Sequence, residues 1–217
     1  MNIKIDIKEV IGENAENNYI PLKLITDKGE VSCRFYKVEN SDSGVIWVGG
    51  VGGDYDSPAE GLYPDLSEKL IENNISSLRI SYRYPRSLEE SVYDVLAGIN
   101  FLENMEISKI ALVGHSLGGA VVIQAAALSE SVKTVITLAT QSYGSGSVSS
   151  ISNNSSILLI HGSDDTVLPS YCSKQVYDNA HDPKKIIVLT GNGHCLDESS
   201  QKVHQIVYNW IISELSN

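Results

Sequence analysis

No stretch of this sequence approaches the roughly 18 consecutive apolar residues that a membrane-spanning helix needs. Its N-terminus, MNIKIDIKEV, alternates apolar and charged residues and lacks the unbroken apolar core of a signal peptide. Cysteine is scarce. Cys33, Cys172 and Cys195 are an odd number without metal-ligand spacing, which excludes a disulfide framework and a metal site and reads as reduced thiols in a cytoplasmic protein. In that compartment the Asn-x-Ser sequons at Asn74, Asn153 and Asn154 are chance. Basic residues are in deficit as well, 16 Lys and Arg against 27 Asp and Glu, for a formal net charge of -11. Such a surface repels polyanions, so neither nucleic acid nor an anionic membrane is an expected partner. Low-complexity tracts, linkers and internal repeats are also missing. What remains, 42% apolar and 20% charged over 217 residues, fits a single domain spanning 1–217 and large enough for a two-sided core.

The chain opens with period-two patterns at Ile3, Ile5 and Ile7, in Pro21–Thr26 and in Val31–Val38, which predict two or three antiparallel strands. After the turn cluster Asn40-Ser41-Asp42-Ser43-Gly44 the character changes. Short apolar runs at Val45–Val48, Leu78–Tyr82, Ile110–Val113, Val132–Ala139, Ile157–Ile160 and Ile186–Leu189 alternate with helical patterns at about 64–73, 88–104, 116–129, 170–180 and 199–215. Ser87-Leu88-Glu89-Glu90 fits a capping box, Pro64 suits the first turn of its helix, and Val203, Ile206, Val207, Trp210 and Ile211 give the last helix one apolar face. Strand alternating with helix predicts an α/β fold: a mostly parallel central sheet of about eight strands, an N-terminal antiparallel hairpin, and helices on both faces.

Ligand sites of such sheets lie at the carboxyl ends of the strands. Three of the apolar runs end in reactive residue types there. Ile110–Val113 runs into Gly114-His115-Ser116-Leu117-Gly118-Gly119, a serine between glycines where strand becomes helix. So sharp a turn strains the serine backbone and leaves no room for bulk two residues before or after it. The helix N-terminus offers free N–H groups to a developing oxyanion. A Gly-bounded turn with a capping serine is the plainer alternative. Ile157–Ile160 runs into His161-Gly162-Ser163-Asp164-Asp165, two adjacent carboxylates of which one can face the site while the other meets solvent. Ile186–Leu189 runs into Thr190-Gly191-Asn192-Gly193-His194-Cys195. His194 is the best placed of five histidines for a base, with His115 and His161 as structural neighbours. The order Ser116, Asp164 or Asp165, His194 differs from the orders of chymotrypsin and subtilisin.

With these three motifs the chain from Val45 onward resembles the α/β-hydrolase fold family. The resemblance implies a Ser-His-Asp triad and an acid at the fifth residue of H-G-x-x-D, hence Asp165. It also implies an oxyanion hole built from the N–H groups of Val51 and Leu117. Relatives often carry His-Gly-x-Gly-Gly in the first of these loops, where this chain has Gly49-Gly50-Val51-Gly52-Gly53. The missing histidine is a loop-holding side chain, not a donor. Between Val132–Ala139 and Ile157–Ile160 only Thr140 to Ser156 remain, too few and too rich in Ser and Gly for a cap domain. The family members most similar are therefore small, capless, dienelactone-hydrolase-like serine esterases.

The expected activity is hydrolysis of a carboxylic ester or thioester of a small molecule, without cofactor. Gly50, Tyr55, His115 and Tyr143 are candidate pocket residues, and Arg83 or Arg86 could meet an acidic substrate end or pair with acidic side chains of the protein itself. A dinucleotide cradle is excluded by Tyr55 where glycine is needed, and no Gly-Lys-Ser/Thr phosphate loop exists. The alternative from another class is a non-catalytic protein of the same fold that binds a small ligand or a partner.

Overall fold

A computed structural model describes residues 4–15 and 18–216. Among the described residues nine strands form one sheet: β1 (Ile7–Gly12), β2 (Ile20–Thr26), β3 (Gly29–Tyr36), β4 (Ser43–Val48), β5 (Ile75–Ser81), β6 (Lys109–His115), β7 (Val132–Leu138), β8 (Ser156–Gly162) and β9 (Lys184–Leu189). Their order is β1-β2-β3-β5-β4-β6-β7-β8-β9. The first three strands are antiparallel, β3 also runs antiparallel to β5, and β4 to β9 are parallel. The sheet thus has one strand more than the eight expected. Period two predicts a strand from Ile3, but Ile3 lies outside the described residues and the ladder begins at Ile7, because the Ile5 N–H turns to the Asn100 side chain.

Five α-helices among the described residues cover the sheet: α1 (Pro58–Lys69), α2 (Leu88–Asn104), α3 (Leu117–Ala126), α4 (Tyr171–Asn179) and α5 (Ser200–Leu215). The parallel strands are buried on both faces, so each has two cores to feed. Ile110 and Leu112 of β6 pack with α2 and α3, while Ala111 and Val113 pack with α1 and α5. The same alternation splits Ile157 and Leu159 from Leu158 and Ile160 in β8. That explains why these strands read as continuous apolar runs.

The first helix starts earlier than its periodicity predicts. Ser57 and Pro58 supply the start signal, but Ala59, Glu60 and Gly61 adopt left-handed angles before the regular turns begin. Pro64 therefore does sit near the start of the regular helix, where its missing N–H costs nothing. The capping box of α2 is half formed. Ser87 Oγ accepts from the Glu90 N–H at 3.4 Å, while the Glu90 carboxylate goes to Arg83 instead.

Between β7 and β8 the chain makes only a single 3-10 turn, Gly146–Ser150, and carries no cap domain. No helix among the described residues is long and apolar enough to cross a membrane.

Candidate active site

Strand order reverses at β4: the chain passes from β4 outward to β5, then returns to lay β6 on the other side. This is the switch point at which open α/β sheets bind ligands. The loops after β4 and β6 meet there. Ser116 is the residue between β6 and α3, with φ 56° and ψ −117°, a backbone region that a non-glycine residue occupies only under constraint. The constraint is the close seating of α3. A Cβ on Gly114 would run into the carbonyl of Gly118, and one on Gly118 into the carbonyl of Gly49 at the end of β4. Both glycines are thus required by backbone contacts that include β4, not only by the turn itself.

The loop after β4 comes beside the serine: a Cβ on Gly50 would stand 3.2 Å from Ser116 Cβ. A turn closes from the Gly53 N–H to the Gly50 carbonyl at 3.3 Å. Neither the Val51 nor the Leu117 N–H has a hydrogen-bond partner among the described residues. Gly49, where relatives have histidine, lies against Asp56, and the strand end is held instead by the Tyr63 hydroxyl on the Val48 carbonyl at 3.0 Å.

Of the two carboxylates after β8, Asp165 turns inward and Asp164 outward. Asp164 is exposed and accepts from Ser163 Oγ at 2.6 Å. Asp165, its side chain fully buried, takes His194 Nδ1 on Oδ2 at 2.7 Å and the N–H groups of Val167 and Leu168 on Oδ1, both at 2.8 Å. Burial alone would raise this carboxyl, but the Leu168 N–H, His194 and the Val167 N–H hold it below the usual carboxylate range. Because Nδ1 of His194 donates to the carboxylate, Nε2 is left as the acceptor nitrogen. Among the described residues Ser116 Oγ and His194 are not hydrogen-bonded, a link that commonly tightens only when substrate binds.

His115, read in the sequence both as a structural neighbour of the site and as a candidate pocket residue, packs against the His194 loop. It is 5% exposed, its ring lies 4.8 Å from that of His194, and its Nε2 donates to the His194 carbonyl at 3.0 Å. Burial pushes its imidazole down to about 4. Its Nδ1 is buried without a partner among the described residues.

Tyr55 is also displaced from expectation. Arg34 of β3 stacks on its ring at 3.9 Å, which draws it three strands away from β6. Tyr143 stands on the loop after β7, 81% exposed, at the mouth of a groove of about 410 Å³ against Gln175, Val176 and Asn179 of α4. Arg83 is consumed within the protein: it meets Asp94 at 2.5 Å, Glu90 at 2.7 Å and the Lys28 carbonyl at 2.7 Å. Arg86 is exposed.

One contact to Asp165 was not legible as such in the sequence. His161 Nε2 also reaches Oδ2, at 3.1 Å, and its Nδ1 meets Ser173 Oγ at 2.6 Å. The i,i+4 spacing in His-Gly-Ser-Asp-Asp could have indicated the first of these, whereas nothing in the sequence indicated Ser173. No group of His, Cys, Asp and Glu among the described residues could hold a metal ion, and the three cysteines are free.

Residues 88–197, just over half of the chain, match the model of the alpha/beta hydrolase family. Solved structures extend the likeness to nearly the whole fold. A dienelactone hydrolase from Anabaena variabilis superposes with a TM-score of 0.76 at 16% identity, over 90% of this chain and 99% of that one. Est1E from Butyrivibrio proteoclasticus gives 0.74 at 16%, over 91% and 99%. A predicted CIB-like hydrolase from Thermoplasma acidophilum gives 0.69 at 16%, over 98% of each chain. No curated protein matches in sequence.

Proposed function

The chain belongs to the alpha/beta hydrolase family, and from that premise we propose that it is a cytoplasmic serine hydrolase cleaving a carboxylic ester or thioester of a small molecule. The observation that carries the reading is the Asp165–His194 hydrogen bond at 2.7 Å, which leaves Nε2 as a base on the same edge as the strained Ser116. The dienelactone hydrolase among the structural neighbours supports the reaction class.

In the proposed reaction His194 Nε2 takes the Ser116 proton as Oγ attacks the carbonyl carbon. Asp165 holds the imidazole in the productive tautomer and stabilises its cation. The Val51 and Leu117 N–H groups, free of other partners among the described residues, receive the oxyanion; losing one such donor costs roughly 10²–10³ in turnover. His194 then returns the proton to the departing alkoxide or thiolate. Water, activated by the same histidine, attacks the acyl group and releases Ser116. With no cap over it the site is open, and Gly50 beside the nucleophile and Tyr143 on the rim are the residues we assign to substrate contact.

A fluorophosphonate probe tests the reading. Wild-type protein is expected to label at Ser116, and His194→Ala to lose the label. Ser116→Ala is expected to lose on the order of 10⁶ in turnover of p-nitrophenyl esters. Retained ester cleavage in Ser116→Ala would overturn the triad, and a folded protein that takes no label would be a binding protein built on a hydrolase fold. Running the ester panel beside acyl-CoA thioesters separates the two substrate classes.

A further inference from the structure

We infer that His161 and Ser173 are positioning residues that lock Asp165 in the orientation His194 needs; the inference rests on the triad proposed above. His161, the last residue but one of β8, is wholly buried, and no step of the proposed reaction uses it. Its Nε2 faces two groups that can only accept, Asp165 Oδ2 at 3.1 Å and the Leu168 carbonyl at 3.0 Å. That nitrogen therefore carries the hydrogen and divides it between them. Ser173, in the first turn of α4, meets the opposite ring nitrogen at 2.6 Å and sets the plane of the imidazole.

The consequence for Asp165 is that every acceptor position is filled. Oδ1 takes the N–H groups of Val167 and Leu168, and Oδ2 takes both imidazoles. Leu168 contributes its N–H to the carboxylate and its carbonyl to His161, so residues 165–168 close into a ring pinned to β8 by the imidazole. Rotation of the carboxylate, whose side chain is fully buried, would break four hydrogen bonds, a costly exchange for buried groups. The second imidazole has an electronic effect too. By donating to Oδ2 it draws charge from the oxygen that His194 uses, so the carboxylate remains the anion and the proton stays on His194 during attack. Removing that donor would leave more charge on Oδ2 to face the His194 ring.

Two substitutions at 161 separate positioning from packing. His161→Phe fills the space of the imidazole without a donor, while His161→Gln puts an N–H at similar reach. His161→Phe is expected to lower kcat by up to about 10²-fold, the scale of a misplaced catalytic group, with KM nearly unchanged and the acid limb of kcat/KM moved to higher pH. His161→Gln is expected to restore most of kcat and return the limb toward wild type. Ser173→Ala is expected to give a smaller loss in the same direction, and carries the test if His161→Phe does not fold. The other titratable groups around the pair, His115, Cys195, Asp56, Asp164, Asp197 and Glu198, are unaltered in all three variants. In wild-type protein, nitrogen NMR should find the His161 hydrogen on Nε2, a readout independent of activity.

A folded His161→Phe with wild-type kcat and pH profile would overturn the inference, as would Phe and Gln variants equally impaired with an unmoved limb. Ser116→Ala, assayed in parallel, keeps the two failures apart. If it stays active, the triad itself falls; if it is dead while His161→Phe is untouched, only the positioning role falls.

Discussion

At the scale of single residues, two strained or costly features are held in place by their neighbours. Ser116 sits at positive φ, a conformation that costs on the order of 1–3 kcal/mol and persists only where the surroundings over-determine it. Here the surroundings are the Leu138 carbonyl, which accepts the Ser116 N–H at 2.9 Å, and the glycine contacts on either side. The second is Asp94, a fully buried carboxylate in α2. Burial pushes its carboxyl up, and the two bonds from Arg83 pull it back only in part. Removing one partner of a buried pair leaves the other without compensation, which costs about 3–5 kcal/mol. Asp94→Ala is therefore expected to lose that much in urea denaturation. Glu90, the second and more exposed partner of Arg83, is worth at most about 1 kcal/mol, so Glu90→Ala should barely move the midpoint.

At the scale of elements, the β6–α3 corner is the part with least tolerance. Gly114→Ala or Gly118→Ala drives a methyl into a backbone carbonyl that belongs to another turn or strand. Overpacking of this kind costs at least about 1–3 kcal/mol, and both variants are expected to melt lower and to lose probe labelling at Ser116. Gly146→Ala is the control, since a Cβ there meets nothing within 4 Å, and its melting temperature should be unchanged. The start of α1 shows a different dependence. Its left-handed residues are tied to the loop that carries His194: the Ala59 N–H donates to the Cys195 carbonyl at 2.8 Å, and the Glu60 N–H to Asp197 at 2.9 Å. His204 of α5 closes the cluster on the Ala59 carbonyl at 2.8 Å. Periodicity could not locate this start because distant backbone groups set it.

At the scale of the whole molecule, burying His115 as the clamp on His194 makes stability depend on pH. The folded imidazole titrates at about 4 against an ordinary value of 6.5. Between those values the unfolded chain binds a proton that the folded chain refuses, so stability falls as pH falls through this window, by about 3 kcal/mol in all. Asp165, held below its ordinary value, adds a loss of the same sign at lower pH, and Asp94, held above its own, opposes it. His115→Gln should flatten the stability curve between pH 6.5 and 4 in urea melts taken across that range; an unchanged slope would mean that His115 is not the group responsible. The parallel sheet, the elbow at Ser116, the inward loop of His194 and the lack of a cap were all legible in the chain. Runs buried on both faces must be apolar throughout, and a sharp strand-to-helix turn demands its glycines. Asp165 over Asp164 was legible only through the family's H-G-x-x-D pattern, and the clamp by His115, the stacking of Arg34 on Tyr55 and the contacts of His161 and Ser173 were not legible at all. Each depends on which side chain a neighbouring strand or helix presents at a strand end, and local pattern carries no record of that. The sequence by itself determined the sheet and the edge on which the reactive groups gather. Only tertiary packing decided which of them face one another, because orientation at a loop is set by hydrogen bonds that close across the sheet.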